Sequence, residues 1–168
     1  MQTDFPIEYP QFYTATIFEW KHVLANDKHK DFIIESLQFL VNDKRIILNA
    51  FVIMSNHIHL IWQPTFSFTL SDIQASFMKY TAQQLKRSLI NDNSTLLEEL
   101  KVNKYDRTYQ VWKREPLSIE LRTNEVFIQK LEYIHYNPVR AGLCINPEDY
   151  YYSSARFYYD GNDSIKMF

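Results

Sequence analysis

The sequence predicts an α+β fold of the ferredoxin-like, split βαβ kind: a four-stranded antiparallel sheet with helices on one face, followed by a further C-terminal helix. Three observations carry that expectation. Segments rich in β-branched and aromatic residues alternate with segments of helical period in the order β-α-β-β-α-β-α. The two central strands are separated only by the tight turn Ser55-Asn56. At 168 residues, with 46% apolar and 23% charged side chains, the chain has the size and composition of one globular domain spanning residues 1–168.

Taken in order, Tyr13 to Trp20 has strand character. Phe32, Ile33, Leu37 and Leu40 recur at helical spacing behind Asp27 and Asp31, either of which suits a helix cap, and that helix ends near Asp43. Arg45 to Ser55 and His57 to Trp62 form the next two strands, the second halted by Gln63-Pro64. Ser71 and Asp72 suit the cap of a long helix through Ile73, Phe77, Tyr80, Leu85 and Leu89, which ends at Asn91-Asp92-Asn93. Thr108 to Lys113 alternates weakly and is the expected fourth strand, closed by Pro116. Thr123 or Asn124 begins the last helix, with Glu125 in the first turn, where the helix dipole favours an anion.

Composition excludes several functions. Gly142 and Gly161 are the only glycines, so no glycine-rich phosphate loop or dinucleotide fingerprint exists. Cys144 is the single cysteine, which rules out an intrachain disulfide and a cysteine zinc cluster and fits a reducing compartment. The start, Met1 to Pro10, carries Asp4 and Glu8 and no basic residue, and no apolar run approaches the roughly 20 residues that span a bilayer. A soluble, cytoplasmic protein with no membrane partner is the expectation.

Net charge is −2, but its distribution is uneven. Residues 73–141 hold eleven Lys and Arg against eight Asp and Glu. This stretch includes Lys79, Lys86, Arg87, Lys101, Lys104, Arg107, Lys113 and Arg114, interleaved with Tyr80, Tyr105, Tyr109 and Trp112. Cations among stacking rings suit a groove for single-stranded nucleic acid, although a solvated helix face plus a polar loop has the same composition. Lys79, Lys86, Arg87, Lys104, Arg107, Trp112, Lys113, Arg114 and, further on, Arg140 are the candidate DNA contacts.

Two constellations carry chemistry. His57-Ile58-His59 follows the most hydrophobic stretch, Ile46 to Met54. Side chains alternate across a strand, so both imidazoles point to one face while Ile58 turns to the other, which is the geometry of a shared metal ion. Two polar residues at a strand entrance make the same pattern. On the last helix, Phe127, Leu131 and Ile134 form the core stripe, and Tyr133 and Asn137, four apart, are presented together on its flank. Pro138 then forces a helix end or kink beside Asn137, and Gly142 suits the chain reversal. A stop signal next to a boundary aromatic is the structural alternative.

The segments Phe51-Val52-Ile53-Met54-Ser55-Asn56-His57-Ile58-His59-Leu60-Ile61-Trp62 and Tyr133-Ile134-His135-Tyr136-Asn137-Pro138-Val139-Arg140-Ala141-Gly142-Leu143 resemble, in order and separation, the two signatures of the single-tyrosine HUH transposases, especially the REP-associated tyrosine transposases. Pro147-Glu148-Asp149-Tyr150 with Ser153-Ser154 is similar to the family's tail motif. The resemblance runs from about Phe12 to Tyr159 and implies the same split βαβ fold.

By that resemblance, His57 and His59 match the paired metal ligands, Tyr133 the nucleophile and Asn137 the polar residue that completes the metal site. The implied cofactor is Mg²⁺ or Mn²⁺, and the implied reaction cleaves and rejoins DNA through a 5′-phosphotyrosine with release of a 3′-hydroxyl. Single-stranded or hairpin DNA is the implied partner, and a homodimer stays open beside a monomer. Glu132 and His135 neighbour Tyr133 in sequence but face elsewhere on the helix, and Tyr136, Tyr150, Tyr151 and Tyr152 are expected to pack or stack. Two rival functions stand against the transposase: a domesticated DNA-binding module with little cleavage, and a metal-dependent hydrolase that uses activated water.

Overall fold

A computed structural model of the chain describes residues 9–168; Asp4 and Glu8 lie outside the described residues. The elements are β1 (Gln11–Thr16), α1 (Asp27–Asn42), β2 (Ile46–Ile53), β3 (His57–Pro64), α2 (Leu70–Asn91), α3 (Leu96–Glu99), β4 (Lys101–Lys104), β5 (Arg107–Tyr109), β6 (Leu117–Glu120), α4 (Asn124–Arg140) and α5 (Ala155–Asp160). The main sheet has the order β2-β3-β1-β6 with every pairing antiparallel. This is the predicted α+β, split βαβ arrangement.

Side-chain alternation divides the sheet into two faces. Tyr13, Ala15, Ile58, Leu60 and Trp62 join Ile33, Leu37, Phe77 and Leu85 of α1 and α2 in the larger core. Phe12, Ala50, Val52, Met54 and Ile61 form a smaller core on the other face with Ile134 of α4, and Phe127 and Leu131 pack against it. Within β2 the register shifts between Leu48 and Ala50. That bulge at Asn49 lets Leu48 and Phe51 share the larger core although they are three residues apart, an odd separation that would otherwise send them to opposite faces.

Helix starts follow local hydrogen bonding more closely than sequence order suggested. Asn26, rather than Asp27 or Asp31, caps α1, its side chain accepting from Lys28 N at 3.0 Å. Asp27 sits inside the first turn and pairs with Lys30 at 2.8 Å. Thr69, rather than Ser71 or Asp72, caps α2 by accepting from Asp72 N at 3.2 Å. Thr123 caps α4 as expected, accepting from Val126 N at 3.2 Å. α4 continues through Pro138 to Arg140, because proline in the final turn deletes only its own donor. The end is a Schellman turn: Gly142 at φ 73° donates to Val139 O, and Leu143 N reaches Pro138 O at 2.9 Å.

The fourth strand is not Thr108 to Lys113. It is β6, after Pro116, which pairs with β1 in the register Phe12↔Ile119 and Thr14↔Leu117. Arg107–Tyr109 instead pairs with β4 in a separate two-stranded ribbon. Trp112 makes only an isolated bridge to Ile17 and buries its ring in the larger core, where Nε1 donates to Thr81 Oγ1 at 3.0 Å. The hydrophobic signal in residues 108–113 is thus a core anchor, whereas all four residues of the true edge strand are exposed.

Candidate active site

The histidines lie on the sheet face opposite α1 and α2, beneath α4. β1 and β3 place Thr14 beside His59 and Thr16 beside His57. Thr14 Oγ1 meets His59 Nδ1 at 2.7 Å, and Asn56 Oδ1 meets His57 Nδ1 at 2.8 Å. Since the Asn56 oxygen only accepts, His57 carries its proton on Nδ1 and keeps a lone pair on Nε2. The imidazole centroids are 4.9 Å apart, and His59 also stacks on Phe12 at 5.4 Å.

Asn137 reaches the same place from α4, with its side-chain amide nitrogen 3.5 Å from His57 Nε2. Tyr133, one turn earlier, sets its ring edge-on to His59 at 5.3 Å and to Phe12 at 5.9 Å. The helix stripe explains this placement: Ile134 is buried on the sheet, and Tyr133 and Asn137 flank it on the side of the histidines. His57, His59, Tyr133 and Asn137 share one cleft with Trp20, Lys130 and Arg140. Tyr133 is 43% exposed, open to a ligand in that cleft.

Burial pushes the His59 pKa down to about 3, and the positive neighbours His57, Arg140 and Lys130 push in the same direction. Burial also lowers His57, against a smaller opposing hydrogen bond from Asn137. Both rings are therefore neutral near pH 7, the form that ligates metal. Among the described residues no cluster of three His, Cys, Asp or Glu could hold a metal ion. Two imidazoles and the Asn137 amide nevertheless fit a divalent cation, because each Nδ1 is held from behind and an amide rotated about its axis presents oxygen. That donor set is uncharged.

Lys130 was not singled out by sequence reasoning. Its Nζ lies 4.7 Å from the Phe12 centroid and 5.8 Å from that of Tyr133, while the Arg140 guanidinium carbon is 4.6 Å over the Tyr133 ring. The available signal was its spacing, three residues before Tyr133 on one helix. Of the predicted DNA contacts, Arg140 lines the cleft, and Lys113 donates its backbone N–H to Thr16 O at the cleft's end, with Arg114 next to it. Lys104 and Arg107 belong to the β4–β5 ribbon. Lys79, Lys86 and Arg87 are exposed on α2, on the far side of the sheet, and do not line the cleft. Trp112 is 6% exposed and cannot stack on a base, a correction that follows from its place in the core.

The other tyrosines and His135 have separate duties. Tyr150 donates to Ile53 O at 2.8 Å, Tyr152 to Asp31 at 3.0 Å, and Tyr151 stands edge-on to Tyr152. Buried His135 meets Ser154 Oγ at 2.8 Å. Tyr136 is exposed and lies outside the cleft that holds the histidines.

The family model for IS200-like transposases matches residues 13–121, and the chain belongs to that family. The match takes in β2, β3, β6 and most of β1, with α1, α2 and both histidines, and stops before α4. Among solved structures, a REP-associated tyrosine transposase bound to a REP hairpin is similar at TM-score 0.65, with 16% identity, over 98% of this chain and 88% of that one. That likeness is one of fold. A protein of Deinococcus radiodurans described as a transposase is similar at TM-score 0.48 and 14% identity, over 80% of this chain and 95% of the other. No curated protein matches the sequence. Among the described residues, no helix is long and apolar enough to cross a membrane.

Proposed function

We propose that this transposase cleaves and rejoins single-stranded or hairpin DNA with Tyr133 as the nucleophile and His57, His59 and Asn137 as ligands of a divalent ion, Mg²⁺ or Mn²⁺. The observation that carries the reading is the convergence in one cleft of two neutral imidazoles, an amide 3.5 Å from one of them and a tyrosine ring 5.3 Å from the other. A bound divalent ion supplies charge stabilisation at the scissile phosphate.

The chain's own residues do the rest. The Tyr133 oxygen attacks phosphorus and loses its proton to solvent; the bond from phosphorus to the 3′-oxygen breaks, and that oxygen takes up a proton. The products are a 5′-phosphotyrosine and a free 3′-hydroxyl, and the reverse attack by a 3′-hydroxyl rejoins the strand. Lys130 and Arg140 beside the Tyr133 ring favour the incoming phosphate. Neutral His57 and His59 are ligands, so neither is free to act as the base.

Labelled hairpin DNA incubated with protein and Mg²⁺ or Mn²⁺, then resolved on a denaturing gel, tests the reading. A covalent protein–DNA band that disappears in Tyr133→Phe supports it. DNA binding without any adduct points to the binding module, and strand cleavage retained in Tyr133→Phe points to activated water.

A further inference from the structure

We infer that Trp20 is a stacking platform for an unpaired nucleobase at the mouth of the cleft, a subsite that deepens the proposed single-strand chemistry and rests on it. Trp20 is 56% exposed, belongs to neither core, and lines the cleft with its ring 6.2 Å from that of His57. Exposing most of an indole forgoes the burial that usually accounts for a tryptophan.

The backbone beneath it is strained. Glu19 at φ 51° and Trp20 at φ 58° are consecutive non-glycine residues in the left-handed region, which a bulky side chain rarely adopts. The turn is pinned there from several sides. Trp20 N donates to Ile17 O at 3.0 Å, and Asn56 Nδ2 donates to Trp20 O at 3.3 Å. The next residue, Lys21, is tied to Glu99 at 2.9 Å. Asn56 is the same residue whose oxygen orients His57, so one side chain sets both the indole's support and the imidazole.

Charge across the cleft indicates which ligand part goes where. Lys130 and Arg140 stand on α4 with Tyr133 and suit phosphates, whereas Trp20 lines the same cleft from the turn after β1, beside His57, and offers an uncharged ring. A single strand laid between them puts its backbone on α4 and a base on the indole. Stacking of this kind tolerates any base, because every base has a π-face.

The chain provides its own reporter. Of its three tryptophans, Trp62 and Trp112 are buried, so Trp20 dominates any change in emission caused by a surface ligand. The probes are a 20-nucleotide oligothymidine and an abasic oligomer of equal length and charge, both in EDTA to prevent cleavage. Oligothymidine should quench the emission and the abasic oligomer should not. Trp20→Ala should bind oligothymidine about tenfold more weakly while binding the abasic oligomer as wild type does, and Trp20→Phe should fall between. Equal binding of the two oligomers, no quenching, or no binding of oligothymidine at all overturns the inference. Adduct formation on hairpin DNA, assayed separately, keeps the two failures apart: an adduct without thymine-dependent quenching sinks the stacking site alone, and quenching without an adduct sinks the tyrosine chemistry alone.

Discussion

The Arg140 guanidinium lies over the ring of Tyr133, 4.6 Å from its centroid, and also donates to the Tyr133 carbonyl. A cation seven residues down the helix is thereby held against the Tyr133 ring and stays at the cleft even without a ligand. Arg140→Gln should slow adduct formation by about 10- to 100-fold, a loss of one charge-assisted contact. It should also flatten the dependence of log binding constant on log salt by about 0.7, the share of one phosphate contact on a single strand. Fluorescence anisotropy across a salt series checks the second effect. A slope equal to that of wild type would place Arg140 in helix packing only.

Tyr133→Phe removes one hydroxyl and leaves the ring contacts with His59 and Phe12 in place. Binding of hairpin DNA should stay within about twofold of wild type while the covalent band vanishes. Tyr136→Phe should retain the band, since Tyr136 lies about 100° around α4 from Asn137. A band that survives in Tyr133→Phe would move the nucleophile to another tyrosine.

Three uncharged donors beside two cations should hold a metal ion weakly until a phosphate arrives. Calorimetric titration with Mn²⁺ should give tighter binding in the presence of hairpin DNA than in its absence. Asn137→Asp adds a ligand charge and should tighten binding to the free protein by about tenfold, whereas His59→Ala should abolish it. Unchanged Mn²⁺ affinity in both variants would remove Asn137 and His59 from the site.

His135 bonds to Ser154 Oγ in the interior, where desolvation pushes its pKa down to about 4 from the ordinary 6.5. Its neutral form is thus favoured by folding. Between those values the unfolded chain binds the proton and the folded chain does not, so this contribution to stability is complete above pH 6.5 and declines as pH falls toward 4. Burial of His59 acts with the same sign. Urea midpoints at pH 7 and pH 4.5 measure the decline, and His135→Gln should shrink it. A profile unchanged by that substitution would rule out His135 as a source.

Trp112→Ala should destabilise the fold by about 3–5 kcal/mol, the range for a large aromatic removed from a core, and should leave Thr81 without its indole donor. Single-stranded DNA affinity measured on the folded fraction should not change. Specific loss of affinity in a fully folded variant would return Trp112 to the DNA surface.

The parts of the fold legible in the sequence were those with long periodic signals. α1, α2 and α4 each bury a stripe at helical spacing, and β2 and β3 are dense in apolar residues, so their existence could be read directly. β6 could not, because four exposed residues carry little pattern while Trp112 nearby carries a strong one for a different reason. The pairing of His57 with His59 followed from strand alternation, and that of Tyr133 with Asn137 from helical spacing. That the two pairs meet depends on where α4 crosses the sheet, which no local spacing encodes. Charge counting likewise grouped Lys86 and Arg87 with Arg140, although α2 and α4 lie on opposite faces of the sheet.

The outer side of the last three residues of β2 is covered by a later segment: Ile53 N donates to Tyr152 O, Ser154 N to Phe51 O, and Val52 bridges Ser153. A strand begun at Ile46 is therefore finished by backbone about a hundred positions later, after α4 has already crossed over the sheet. Contacts of such long sequence separation are slow to form. A chain stopped short of Ser153 would keep every residue proposed for chemistry and still leave that strand with a raw edge open to other chains.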